Sequence, residues 1–267
     1  MNWLGEKLGG LLARYLKQPS KNYEPFSAIH PEALQNCLQK GDILLVEGNL
    51  RISAAIKYVT QSTWSHAALY VGDALPTPQD GSEPATLVEA DLTSGVVAVP
   101  LSRYAGFNTR ICRPVNLDPK DLEKVVHFAI NSIGAKYDLK NVIDLVRYLL
   151  PNPPVPVRWR RRLLALGSGD PTRAICSTLI AQAYQLIGYP ILPKIKVRKV
   201  AGLRGSYYTR EYLHIRHHSL YTPRDFDVSP YFEIVKPTIV KSFDYKTLLW
   251  AEERPVHKPL NPETDHS

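Results

Sequence analysis

Ala174-Ile175-Cys176-Ser177-Thr178-Leu179-Ile180-Ala181-Gln182-Ala183-Tyr184 sets a cysteine where a helical pattern begins. Proline and turn-forming residues precede it between Gly167 and Thr172. Leu179, Ile180, Ala183, Leu186 and Ile187 then recur at the spacing of one buried helix face. In the first turn of a helix, unpaired backbone N–H groups and the helix dipole favour a negative sulfur. Cysteine hydrolases present their nucleophile in this way. A small buried hydrophobe fits the same position, so this segment alone leaves both readings open.

A second segment, Trp64-Ser65-His66-Ala67-Ala68-Leu69-Tyr70-Val71, reads as a half-buried strand bounded by Gly72 and Asp73. His66 stands near its beginning, between small residues that leave the ring accessible. The next strand is Thr86-Leu87-Val88-Glu89-Ala90-Asp91, with Glu89 inside an otherwise apolar run. A buried carboxylate there needs a partner, and an imidazole on the neighbouring strand supplies one. A base held by a third group and set close to a thiol is the geometry of nucleophilic catalysis. Asp91 is a rival for the orienting role. Alternation puts it on the same face as Glu89 but farther along, and Glu89 is preferred.

The order Gly41-Asp42-Ile43-Leu44, Trp64-Ser65-His66-Ala67, Leu87-Val88-Glu89-Ala90 and Ile175-Cys176-Ser177 resembles the circularly permuted branch of the NlpC-type papain-like hydrolases, the YiiX/YebB-like group. In ordinary papain-like enzymes the cysteine comes before the histidine; in this branch the histidine strand comes first. The resemblance spans roughly residues 38 to 236. It takes in Gly134-Ala135-Lys136-Tyr137-Asp138, similar to the group's Gly-x-x-Tyr-Asp turn, and Thr222-Pro223-Arg224-Asp225-Phe226 near its end. It implies Cys176 as nucleophile, His66 as general base, Glu89 as the group that orients the imidazole, and Tyr137 as a tyrosine lining the site and assisting the oxyanion. A core-edge aromatic is an equally open role for Tyr137. The backbone N–H of Cys176 is a further oxyanion donor to expect at the helix start.

Composition narrows the class. With 267 residues, 44% of them hydrophobic, the chain is long enough to bury one full core with additions. Its three cysteines, Cys37, Cys112 and Cys176, cannot form an all-paired framework, and their spacing matches no zinc site. The eight histidines are scattered, and His217-His218 has no cysteine near it. No metal and no cofactor are expected. No apolar run reaches the length of a membrane-spanning helix.

Residues 1 to 18 read as an amphipathic helix. Leu4, Leu8, Leu11, Leu12, Tyr15 and Leu16 fall on one side with Trp3 at the edge, and Glu6, Lys7, Arg14 and Lys17 on the other. These charges interrupt any signal-peptide core, so a cytoplasmic location is expected. The leucine arc with its basic face suits a membrane interface, at the inner face of the membrane, with Trp3, Leu4, Leu8, Leu11 and Leu12 as contacts. The same arc suits packing on protein, and both readings stand.

The coarse order places helices near 31–39, 52–61, about 118–133 and 138–150. Strands are expected at 42–47, 64–71, 86–91, 95–100, 109–115 and 231–236. Asp118 serves as cap and Pro119 as first residue of its helix. This is an α+β chain, a small antiparallel sheet packed against helices, and the resemblance makes it a permuted papain-like fold. The expected organisation is a helix at 1–18, a linker at 19–29, a catalytic domain at 30–247 and a tail at 248–267. Two basic insertions interrupt the domain, 151–173 around Arg158-Trp159-Arg160-Arg161-Arg162, and 194–218. They contribute much of the net charge of +8 and suit anionic lipid or acidic substrates. No specific nucleic-acid partner is expected, because no binding motif accompanies the charge. The implied activity is a thiol hydrolase or acyltransferase working through an acyl-enzyme on an amide or ester carbonyl, with a lipid or lipidated substrate in view.

Overall fold

Ile43-Leu44-Leu45-Val46 is apolar at four consecutive positions, and all four side chains are buried. A strand can bury every residue only where its sheet is covered on both faces. The computed structural model describes residues 15, 18–19, 26–27, 29–91, 94–136, 175–201 and 207–237. In it the strands β1 (Ile43–Val46), β2 (His66–Tyr70), β3 (Leu87–Asp91), β4 (Gly95–Val99), β5 (Thr109–Pro114) and β8 (Phe232–Val235) form one sheet in the order β4-β3-β2-β1-β5-β8. Every pairing in it is antiparallel. The strands β6 (Lys194–Ala201) and β7 (Tyr207–His214) pair with each other as a separate ribbon.

Among the described residues the helices are α1 (Pro31–Cys37), α2 (Arg51–Thr60), α3 (Pro119–Asn131), α4 (Ile175–Leu186) and α5 (Pro223–Asp227). Alternation along the strands sends Ile43, Leu45, Ala67, Leu69 and Val88 to one face, where α3 supplies Val125 and Ala129 and α4 supplies Leu179, Ile180, Ala183 and Tyr184. Leu44, Val46, Ala68, Leu87 and Ile111 go to the other face, closed by Leu34 and Cys37 of α1 and by Tyr104. The α+β class and the antiparallel sheet packed on helices agree with the sequence reading. So does the cap of α3, where the Asp118 carboxylate accepts from the Lys120 N–H at 2.8 Å with Pro119 following. The expected helix at 138–150 and the insertion 151–173 lie outside the described residues. The insertion 194–218 is largely the β6–β7 ribbon.

Gly41-Asp42 and the described part of the second motif, Gly134-Ala135, serve as scaffold. Gly41 has a φ of +87°, and a Cβ there would come within 2.5 Å of the Leu122 side chain. Its carbonyl accepts from the Tyr184 hydroxyl at 2.5 Å, tying the entry of β1 to α4. The neighbouring Asp42 is fully buried and accepts a forked pair from Arg113 on β5, at 2.8 and 2.7 Å, plus the Gln39 N–H at 2.7 Å. Gly134 and Ala135 bond across to Val96 on the edge strand β4. A Cβ at Gly95 would lie only 2.2 Å from the Ala135 carbonyl oxygen, so that approach requires glycine.

Candidate active site

His66 is the first residue of β2, paired with Val46 of β1 on one side. On its other side the ladder to β3 holds only at Leu69↔Val88 and Tyr70↔Leu87. Beyond those pairs the two strands part, and His66 and Glu89 border the gap. Val71 sends its N–H toward the β3 side, to the Thr86 carbonyl at 2.8 Å. By the period of two, Ala67 aims its N–H the same way, where β3 no longer takes it. The Cys176 sulfur takes it instead. Helix α4 packs on β2 and β3 and carries Cys176 in the first turn of its described length.

Three side chains thus form a chain. The Cys176 thiol hydrogen-bonds to the His66 imidazole. His66 Nε2 lies 2.9 Å from Glu89 Oε2. Because Nε2 belongs to the carboxylate, Nδ1 is the ring nitrogen left for sulfur. Cys176 is 4% exposed and Glu89 2%, whereas the imidazole keeps 23% of its surface, so the ring is the solvent-reachable member.

The electrostatics follow from this packing. Burial works against a charged Cys176, but the positive imidazole, its hydrogen bond, the Ala67 N–H and the Ser177 hydroxyl outweigh it and lower the thiol pKa. Burial also works against a charged His66. The charge and hydrogen bond of the Cys176 sulfur, followed by those of Glu89, drive its pKa upward. Glu89 is disfavoured as an anion by burial, yet the His66 hydrogen bond and charge, the Tyr104 hydroxyl and Arg103 hold its carboxyl below the usual range. Both shifts run in the direction that favours thiolate and imidazolium, a nucleophile beside its acid.

Two contributors escaped the sequence reading. Tyr104 is buried and donates its hydroxyl to Glu89 Oε2, the same oxygen that faces His66, with its ring centroid 6.0 Å from the imidazole. Arg103 Nε stands 3.7 Å from Glu89 Oε1. Both come from the short turn Leu101–Tyr104 after β4, which has no periodicity to mark it. The rival Asp91 sits at the end of β3, where its Oδ1 caps the Ser94 N–H at 2.8 Å. Tyr137 lies outside the described residues, as do Trp3, Leu4, Leu8, Leu11 and Leu12. Of the N-terminal segment, Tyr15 is described: the Arg51 guanidinium lies 4.2 Å from its ring centroid, and the Gln18 carbonyl accepts the Arg51 N–H at 3.0 Å.

At the His66 end of the sheet a polar cavity of about 530 Å³ opens, its lining including Glu47, Lys57, Trp64, Arg110, Arg224 and Asp227. Arg110 pairs with Asp227 at 2.5 Å and lies over the Trp64 ring, whose Nε1 donates to the same carboxylate at 3.0 Å. Arg110 stands opposite Leu45, which places this wall on the sheet face that α4 covers. Among the described residues no group of three or more His, Cys, Asp or Glu is placed to hold a metal ion, and no helix is long and apolar enough to cross a membrane.

Residues 37–148 match the family described as permuted papain-like amidase enzyme, YaeF/YiiX, C92 family. That stretch contains His66 and Glu89, and Cys176 lies beyond it. Among solved structures, the metalloprotein YiiX from Escherichia coli O157:H7 is similar at 17% identity, over 74% of this chain and 96% of that one, with a TM-score of 0.43. No curated protein matches the chain.

Proposed function

Because residues 37–148 match the model of a permuted papain-like amidase family, we propose that this chain is a cysteine hydrolase acting through an acyl-enzyme, with Cys176 as nucleophile, His66 as acid and base, and Glu89 as the orienting group. The observation that carries the reading is the continuous hydrogen-bonded chain from the Cys176 thiol through His66 to Glu89.

In this mechanism the Cys176 thiolate attacks the substrate carbonyl carbon, and the carbonyl π electrons pass to oxygen. The Cys176 N–H and the Tyr137 hydroxyl are the proposed donors to that oxyanion. As the oxyanion collapses, the bond to the leaving nitrogen or oxygen breaks, and the His66 imidazolium delivers its proton to the leaving atom. A thioester and a neutral imidazole remain. His66 next takes a proton from water, the hydroxide adds to the thioester, and collapse expels the Cys176 thiolate and releases the acid. Glu89 keeps the ring aligned and favours its charged state throughout.

An amide is the substrate class closest to the family description. The polar cavity at the same end of the sheet is lined by charged groups, with neither His66 nor Cys176 among its described lining residues. A lipid or lipidated acyl group, and transfer to an acceptor other than water, are supported by the amphipathic pattern of residues 1–18 and the basic insertions. The contact of Tyr15 with Arg51 supports the alternative, a soluble peptide amidase whose N-terminal segment packs on its own domain. Intact-protein mass spectrometry after incubation with cell extract or an electrophilic acyl probe tests the catalytic reading. One adduct on Cys176, absent from Cys176→Ala, is expected. Labelling that ignores both Cys176→Ala and His66→Ala overturns it and leaves a non-catalytic scaffold.

A further inference from the structure

The β6–β7 ribbon is untouched by the chemistry above. It pairs from Lys194↔His214 to Ala201↔Tyr207 and, among the described residues, joins no other sheet. Ile195 and Val197 are each 59% exposed, and Lys196 between them is exposed too. Successive residues of a strand project to opposite faces, so at these positions neither face of the ribbon is covered. Ile215, one residue past its end, is 62% exposed. An isolated two-stranded ribbon is marginal in water, and exposed aliphatic residues on it cost solvation that a partner surface would recover.

The charge selects the partner. Residues 194–216 hold seven Lys or Arg against a single acidic residue, Glu211, a net +6 within a chain whose total is +8. We propose that this ribbon docks on an anionic lipid surface, with its cations at the headgroups and Ile195 and Val197 at the boundary with the acyl chains. Anionic headgroups attract a concentrated positive segment of this kind. By alternation Ile195 and Val197 share one face and Lys194, Lys196 and Arg198 the other, so the ribbon is amphipathic, and its aliphatic face gains by entering the interface as in membrane-surface helices. A nucleic-acid site would instead use the exposed positions for stacking, and Ile and Val present no π face to a base. The proposal is independent of Cys176 chemistry.

Sedimentation of the full chain with vesicles of phosphatidylcholine, with and without phosphatidylglycerol, tests it. Binding is expected only with the anionic lipid, and added salt should release it. Lys194→Glu with Lys196→Glu and Arg198→Glu should weaken binding at least about tenfold. Ile195→Ser with Val197→Ser should weaken it while leaving its salt dependence in place. A chain lacking residues 1–21 should retain the ribbon-dependent part, which separates this surface from the N-terminal segment. Unchanged melting temperature and Cys176 alkylation show that the variants are folded. Vesicle binding indifferent to both ribbon variants overturns the proposal. So does ribbon-dependent binding of a DNA or RNA duplex with none to anionic vesicles.

Discussion

His66 is held from two sides: its Nε2 lies 2.9 Å from Glu89 Oε2, and its ring hydrogen-bonds with the Cys176 sulfur. Glu89 both fixes the ring and supports its positive charge. Glu89→Gln keeps the shape and removes the charge, so hydrolysis should fall about 10²-fold or more while the fold survives. Steady-state kinetics with a melting curve separates the two effects. Unaltered kcat would remove Glu89 from the mechanism.

Reactivity should divide the three cysteines sharply. The Cys176 pKa is lowered, whereas burial pushes the Cys112 thiol far up, and Cys37 is buried at the end of α1. Iodoacetamide at neutral pH should therefore label one cysteine in the native protein, and Cys176→Ser should label none. His66→Ala should slow the labelling of Cys176 and move its pH midpoint upward, because the positive partner is gone.

Tyr104 should matter more than its anonymous place in the sequence suggests. Tyr104→Phe removes only the hydroxyl that donates to Glu89. A buried carboxylate that loses one donor should cost about 1–3 kcal/mol of stability and roughly tenfold in kcat/KM. Tyr104→Ala adds a cavity in the core and should cost about 3–5 kcal/mol. Thermal or urea unfolding of the two variants checks the ranking.

The sequence made the strands legible where alternation and turn residues agreed, as for β2, β3 and β5, and it marked α3 through Asp118 and Pro119. Glu89 was readable because a carboxylate inside an apolar run demands a partner. Tyr104 and Arg103 were not, since a short turn has no period and their meaning arises only when it folds back over Glu89. The Ala67 N–H was equally hidden, for a backbone donor becomes a site only where a ladder stops. The ribbon at 194–214 was masked by its charge, which outweighs the alternating Ile195 and Val197.

Asp42 and Arg113 give a test of scaffold rather than chemistry. The carboxylate is fully buried and takes both arms of the Arg113 fork. Arg113→Met leaves that buried group without its cation, and a loss of about 3–5 kcal/mol is expected. Unfolding by urea measures it. A loss below about 1 kcal/mol would mean that water reaches Asp42 when the arginine is gone.

The pH dependence of hydrolysis should be bell-shaped, with each limb assignable by mutation. The Cys176 pKa is lowered and that of His66 raised, so the thiolate–imidazolium state fills the window between them. Below the lower limb the sulfur gains a proton and nucleophilicity is lost. Above the upper limb the imidazolium loses its proton and no acid remains for the leaving group. The two apparent values belong to the coupled pair rather than to either residue. In Glu89→Gln the support for the imidazolium weakens, so the upper limb should move to lower pH. In His66→Ala, alkylation of Cys176 should show a single limb, displaced upward toward the ordinary thiol value of about 8.5. Profiles of kcat/KM and of alkylation rate, measured on the same variants, check both shifts. An upper limb that stays in place in Glu89→Gln would assign it to a group other than His66.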